Sequence, residues 1–140
     1  MTQTERKPST HTGGCHCGAV RFEADLDLGN PVGACNCTLC TKRGVLGAIV
    51  KPAELRVLAG EENLGDYSWG PKTAHFLFCK TCGIHVFGRG HLVELGGAYA
   101  SVNVTCIDDI DPATLEVVYF DGRHDNWQAG VRDTPWPVHA

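Results

Sequence analysis

The 140-residue chain has no apolar run approaching the ~18 residues of a membrane span, and no partner in a membrane is expected. Its first twelve residues are polar and lack the apolar stretch of a signal peptide, so residues 1–12 are expected to form a disordered tail on a cytoplasmic protein. Basic charge is also scarce. Twelve Lys and Arg stand against sixteen Asp and Glu, giving a formal charge of −4, which argues against a nucleic-acid partner. No segment sustains a helical period, and no repeat appears beyond the cysteine pairs. A Ser/His/Asp order, a phosphate-binding glycine loop and a dinucleotide glycine pattern are all absent.

Cysteine is abundant by contrast: eight in one domain-sized chain. In a reducing compartment clustered thiols bind metal more often than they form disulfides. The densest cluster is Cys35-Asn36-Cys37-Thr38-Leu39-Cys40. A tight turn with this C-x-C-x-x-C spacing can point three sulfurs at one zinc ion. Three protein ligands leave a fourth corner open, as catalytic zinc sites require. Lys42 and Arg43 follow at once, as candidates to hold a substrate carboxylate or to stabilise thiolates.

Short stretches of alternating polarity make the class mainly β. Strands are expected after Ala19 with Val20, Phe22 and Ala24 on one face, and over residues 45–50, 55–58, 64–69, 73–78, 84–87, 92–97, 99–104 and 117–120. One helical turn is expected over Thr38 to Arg43. Gly13-Gly14-Cys15-His16-Cys17-Gly18 is a glycine-bracketed turn, and Cys79-Lys80-Thr81-Cys82-Gly83 reads as a zinc knuckle between two strands. Cys15, Cys17, Cys79 and Cys82 would make a closed structural site of four thiolates. Spacing alone also allows Cys79 and Cys82 to complete the Cys35 site, leaving Cys15 and Cys17 idle.

The motifs Gly13 to Phe22, Cys35-x-Cys37-x-x-Cys40, Phe78-Cys79-x-x-Cys82-Gly83 and Val102-Asn103-Val104-x-Cys106 together resemble the glutathione-dependent formaldehyde-activating enzyme family, grouped with centromere protein V. The resemblance runs from about Gly13 to Trp127. It implies an Mss4-like β-tent of short antiparallel strands over residues 13–128, with residues 129–140 as an irregular tail. It also implies two zinc ions per chain: a structural one on Cys15, Cys17, Cys79 and Cys82, and a catalytic one on Cys35, Cys37 and Cys40. The implied activity is that of a carbon–sulfur lyase, adding a small-molecule thiol such as glutathione reversibly to a small aldehyde such as formaldehyde.

Other residues carry plainer expectations. Cys106 is expected as a buried small side chain at a strand end, His16 as a surface imidazole, and Asn103 as a loop anchor. His75 and His85 are expected on half-exposed strands beside the knuckle, and Trp69, Phe76, Phe87 and Tyr99 in the core. Two other functions compete with the lyase. A non-catalytic zinc module binding a thiol or a protein would show two closed sites and an exposed face. A methionine sulfoxide reductase would carry two C-x-x-C pairs, which the C-x-C motifs fit poorly.

Overall fold

The structure, a computed structural model, describes residues 9–137. Eleven strands and one short helix form two sheets. The smaller sheet has the order β1-β2-β5, from β1 (Ser9–Gly14), β2 (Arg21–Leu26) and β5 (Leu55–Ala59). The larger has the order β11-β10-β3-β4-β9-β8-β7-β6. Its strands are β3 (Val32–Cys35), β4 (Gly47–Val50), β6 (Leu64–Tyr67), β7 (Ala74–Cys79), β8 (His85–Leu92), β9 (Gly97–Asn103), β10 (Val117–Phe120) and β11 (Val131–Arg132). The helix α1 (Thr38–Arg43) covers the expected turn. This is the mainly β, two-sheet architecture expected of a β-tent. Among the described residues, no helix is long and apolar enough to cross a membrane.

The alternation in β2 turns Phe22, Ala24 and Leu26 inward, while Arg21, Glu23 and Asp25 remain half-buried. Phe22 meets Phe87 of β8 edge-on, with ring centroids 5.7 Å apart, which locks one sheet to the other. Val20, Val86, Val102 and Val104 fill the space around this pair. Burying such a side chain is worth about 1.5–3 kcal/mol. On the outer face, Arg56 reaches Glu23 and Asp25 at 2.6 and 2.8 Å, tying β5 to β2.

Three expectations are corrected. The disordered tail does not extend to Thr12: Ser9–Gly14 pairs with β2, and residues 1–8 lie outside the described residues. Residues 92–97 do not form a separate strand; Val93–Leu95 is a 3-10 turn linking β8 to β9. Trp69 is not core but 58% exposed, just past the edge strand β6. The described strands pair antiparallel as expected with one exception: β10 runs parallel to β3, with Phe120 beside Cys35. The C-terminal tail folds back over β10: β11 pairs with it, and Trp136 donates its indole N–H to the Tyr119 carbonyl at 2.9 Å.

Candidate metal centres and the cleft between them

Two turns bring four of the sulfurs together. Cys15 and Cys17 sit between β1 and β2; Cys79 ends β7, and Cys82 lies in the turn to β8. Gly18 and Gly83 take φ of 83° and 79° to close the two turns. Cys17 Sγ is 3.6 Å from both Cys15 Sγ and Cys79 Sγ, and all four sulfurs lie within 4.8 Å of one another. Four sulfurs set tetrahedrally about zinc would stand about 3.8 Å apart, so the group fits that ion. N–H groups already point at the sulfurs: Val20 N at Cys15 Sγ and Asn63 Nδ2 at Cys79 Sγ, each at 3.3 Å. Backbone N–H groups at Cys17 and Ile84 pull the Cys82 thiol down to about 6, favouring the thiolate a metal needs. Since β1 and β2 belong to the small sheet and β7 and β8 to the large one, this cluster staples the two.

The second cluster uses three different local structures. Cys35 ends β3, Cys37 caps α1, and Cys40 lies in its first turn. Cys37 Sγ accepts from Cys40 N at 3.3 Å, so the capping atom is a thiol. Gly44, at φ 66°, ends the helix. The three sulfurs lie within 4.8 Å of one another and are half-buried. The thiols of Cys35 and Cys40 hydrogen-bond to Cys37 and hold it far below an ordinary thiol, while Cys35 and Cys40 are pushed up.

Arg43 joins this cluster to the knuckle. Its guanidinium stacks on Phe76 at 4.4 Å, reaches Cys40 Sγ at 3.5 Å and donates to His85 Nε2 at 2.9 Å. A guanidinium only donates, so His85 Nε2 is the acceptor and its proton sits on Nδ1. Burial, together with the Arg43 charge, lowers the His85 pKa to about 4. Arg43 Nε is buried without a partner among the described residues. A cleft of about 380 Å³ opens here, lined by Lys42, Arg43, His85, Asn103 and Thr105. Lys42 is exposed at this cleft.

The remaining expected residues fall as follows. Asn103 anchors a loop, donating to the His85 carbonyl at 2.8 Å and accepting from Thr105 Oγ1 at 2.7 Å. Cys106 is half-buried in the 3-10 turn Val104–Cys106. It bonds the His85 carbonyl at 3.5 Å, and burial pushes its thiol up to about 11. His16 is exposed, and His75 pairs with Asp66 at 2.9 Å.

A group of residues to which the sequence assigns no role encloses Cys35. Asp121, only 5% exposed, accepts at Oδ1 from Asn36 Nδ2 at 2.8 Å and faces His124 Nδ1 at 2.7 Å. Burial raises its pKa, but the bonds from Asn36, His124 and Asn126 outweigh this and hold it below the usual carboxylate value. Arg123 grips Asn36 twice, through its backbone N–H to Oδ1 and Nε to the carbonyl, both at 2.9 Å. Gly122 lies against Cys35 Sγ and the Trp127 ring. Nothing in the run Asp121-Gly122 sets it apart from an ordinary turn. Only the parallel pairing of β10 with β3 brings it to the thiols.

The profile of the family described as glutathione-dependent formaldehyde-activating enzyme matches residues 10–121. The chain belongs to this family. All eight cysteines of this glutathione-dependent formaldehyde-activating family member lie inside the match, which ends at Asp121 just before Gly122, Arg123 and His124. The fold is also similar to that of a Rhodobacter sphaeroides protein known from a crystal structure. The two are 31% identical with a TM-score of 0.66, over 90% of this chain and 99% of that one.

Proposed function

We propose that the chain is a zinc-dependent carbon–sulfur lyase acting on a thiol–aldehyde adduct such as S-hydroxymethylglutathione, by reversible addition of the thiol to the aldehyde. The observation that carries this reading is the contrast between a four-sulfur group that would close a metal and a three-sulfur group that would leave one position open. Zinc bound to Cys35, Cys37 and Cys40 would supply a soft Lewis acid that favours a substrate thiolate over the thiol. Arg43 offsets the negative charge of the thiolates through Cys40 Sγ. Lys42 and Arg43 would bind a carboxylate of the thiol in the adjoining cleft, orienting its sulfur toward the cluster. In the forward direction the sulfur bonds to the carbonyl carbon and the oxygen takes a proton. In reverse the hydroxyl loses its proton as the C–S bond breaks. The reading puts this work in the cytoplasm, where the thiols stay reduced.

The test is calorimetric titration of glutathione into the protein and into Cys37→Ala, with NMR exchange between formaldehyde and its glutathione adduct. Binding lost in the variant and exchange faster than in buffer are expected. Binding without exchange would leave a thiol-binding zinc module.

A further inference from the structure

We propose that Asn36 and Arg123 are positioning residues for the metal of the three-cysteine group, holding its turn in ligating shape through bonds that do not involve the ion. This rests on the reading of Cys35, Cys37 and Cys40 as a zinc site and not on the lyase chemistry. Arg123 reaches the residue that follows each of the three cysteines. Its Nε donates to the carbonyl of Asn36, after Cys35, at 2.9 Å. Its Nη1 donates to Thr38 Oγ1, after Cys37, at 3.4 Å, and Nη2 to Thr41 Oγ1, after Cys40, at 3.5 Å. One planar guanidinium thus spans the whole motif.

Asn36, between Cys35 and Cys37, is held at its backbone N–H, its carbonyl and both side-chain polar atoms. The N–H donates to the Phe120 carbonyl at 3.3 Å, and the carbonyl also accepts from Thr41 Oγ1 at 3.1 Å. Oδ1 accepts the Arg123 backbone N–H at 2.9 Å, and Nδ2 donates to Asp121 Oδ1 at 2.8 Å. A backbone N–H only donates and a carboxylate only accepts, so the amide has one orientation. The parallel pairing of β10 with β3 delivers this whole set of partners to the turn.

The four-cysteine group has the same C-x-C spacing without this support: its middle residue, His16, is exposed. There the turns are carried by two sheets, and four sulfurs can close about an ion. Three ligands hold an ion less firmly, so the shape of the turn has to come from other residues. A turn already fixed by its neighbours loses little backbone freedom when the ion enters, where ordering a loose residue costs about 1–2 kcal/mol. Residues behind metal ligands act in this way, and their loss typically weakens metal binding by about 10–100-fold.

The experiment titrates the full-length zinc-loaded protein with a chelator and follows the zinc released. The intact protein is expected to give up its ions in two steps, the weaker one from the three-cysteine group. Asn36→Ala and Arg123→Lys should each weaken that step by about 10–100-fold, with the tighter step and the far-UV spectrum unchanged. Arg123→Lys keeps the positive charge but cannot span three partners, so a role of charge alone predicts no change there. Asn36→Asp sets a carboxylate against Asp121 and should weaken the same step. Adding Asp121→Asn puts a donor opposite that carboxylate, and the double variant should recover the affinity. An unchanged weaker step in Asn36→Ala and Arg123→Lys would overturn the proposal and leave the zinc site standing. Loss of both ions together in these variants, with no recovery in the double variant, would also overturn it, by showing that the segment holds the fold and not the site. A single ion in the intact protein would overturn the zinc reading, and the proposal with it.

Discussion

Gly122 faces the sulfur of Cys35 so closely that a Cβ added to the glycine would stand 2.5 Å from Sγ and 2.9 Å from the Trp127 ring. The glycine is required here by close approach, since no side chain fits between the end of β10 and the first of the three thiols.

Gly122→Ala is therefore expected to displace Cys35 while leaving the sheets and the four-cysteine group intact. Overpacking of this kind costs about 1–3 kcal/mol. Metal analysis should fall from two zinc ions to one per chain, with an unchanged far-UV spectrum. Two retained ions would show that the turn yields without moving the thiol.

The two cysteine groups should differ in what they hold together. Cys82→Ala breaks the staple between the sheets, and a structural zinc contributes about 10–16 kcal/mol of folding free energy in small domains, so this variant should unfold or melt far lower. Cys37→Ala should stay folded with one metal fewer. Thermal melts and metal content measured on both variants decide the matter, and equal losses of melting temperature would contradict the division into structural and catalytic ions.

Arg43→Lys should not be silent. A single ammonium cannot stack on Phe76 while bonding both Cys40 and His85. Loss of one charge-assisted bond, about 1.5–3 kcal/mol, predicts glutathione binding weaker by about tenfold or more in calorimetry. Lys42→Met should weaken it less, because Lys42 is exposed.

His85 gives a pH signature. Its pKa falls to about 4 in the folded chain, against about 6.5 when unfolded. Between these values the unfolded chain binds the extra proton, so stability is full above about 6.5 and declines as pH drops toward 4. Melting temperatures of the protein and of His85→Gln should therefore converge as pH is lowered from 7 to 5. A constant difference would place the imidazole in a more open setting than the structure does.

Local chemistry made much of this molecule legible. The alternation around Phe22 gave β2, the six-residue thiol motif gave α1, and the Gly18 and Gly83 positions gave the two turns. Trp69 misled because an aromatic at the end of an expected strand carries no sign of whether that strand is central or at an edge. Ser9 to Thr12 misled because a polar strand paired on one side looks like any polar lead-in.

Which sulfurs gather within one turn follows from residue order, because ligand spacing there is short-range geometry, fixed by a few backbone dihedrals. Which turns meet, and what surrounds them, is a matter of long-range packing. Cys15 and Cys17 join Cys79 and Cys82 because two sheets pack through Phe22 and Phe87. Arg43 reaches His85, 42 residues away, and Asp121 reaches Asn36, 85 residues away, because β10 lies parallel to β3 and the knuckle lies beside α1. Such contacts depend on the summed packing of many side chains, and no local pattern encodes them.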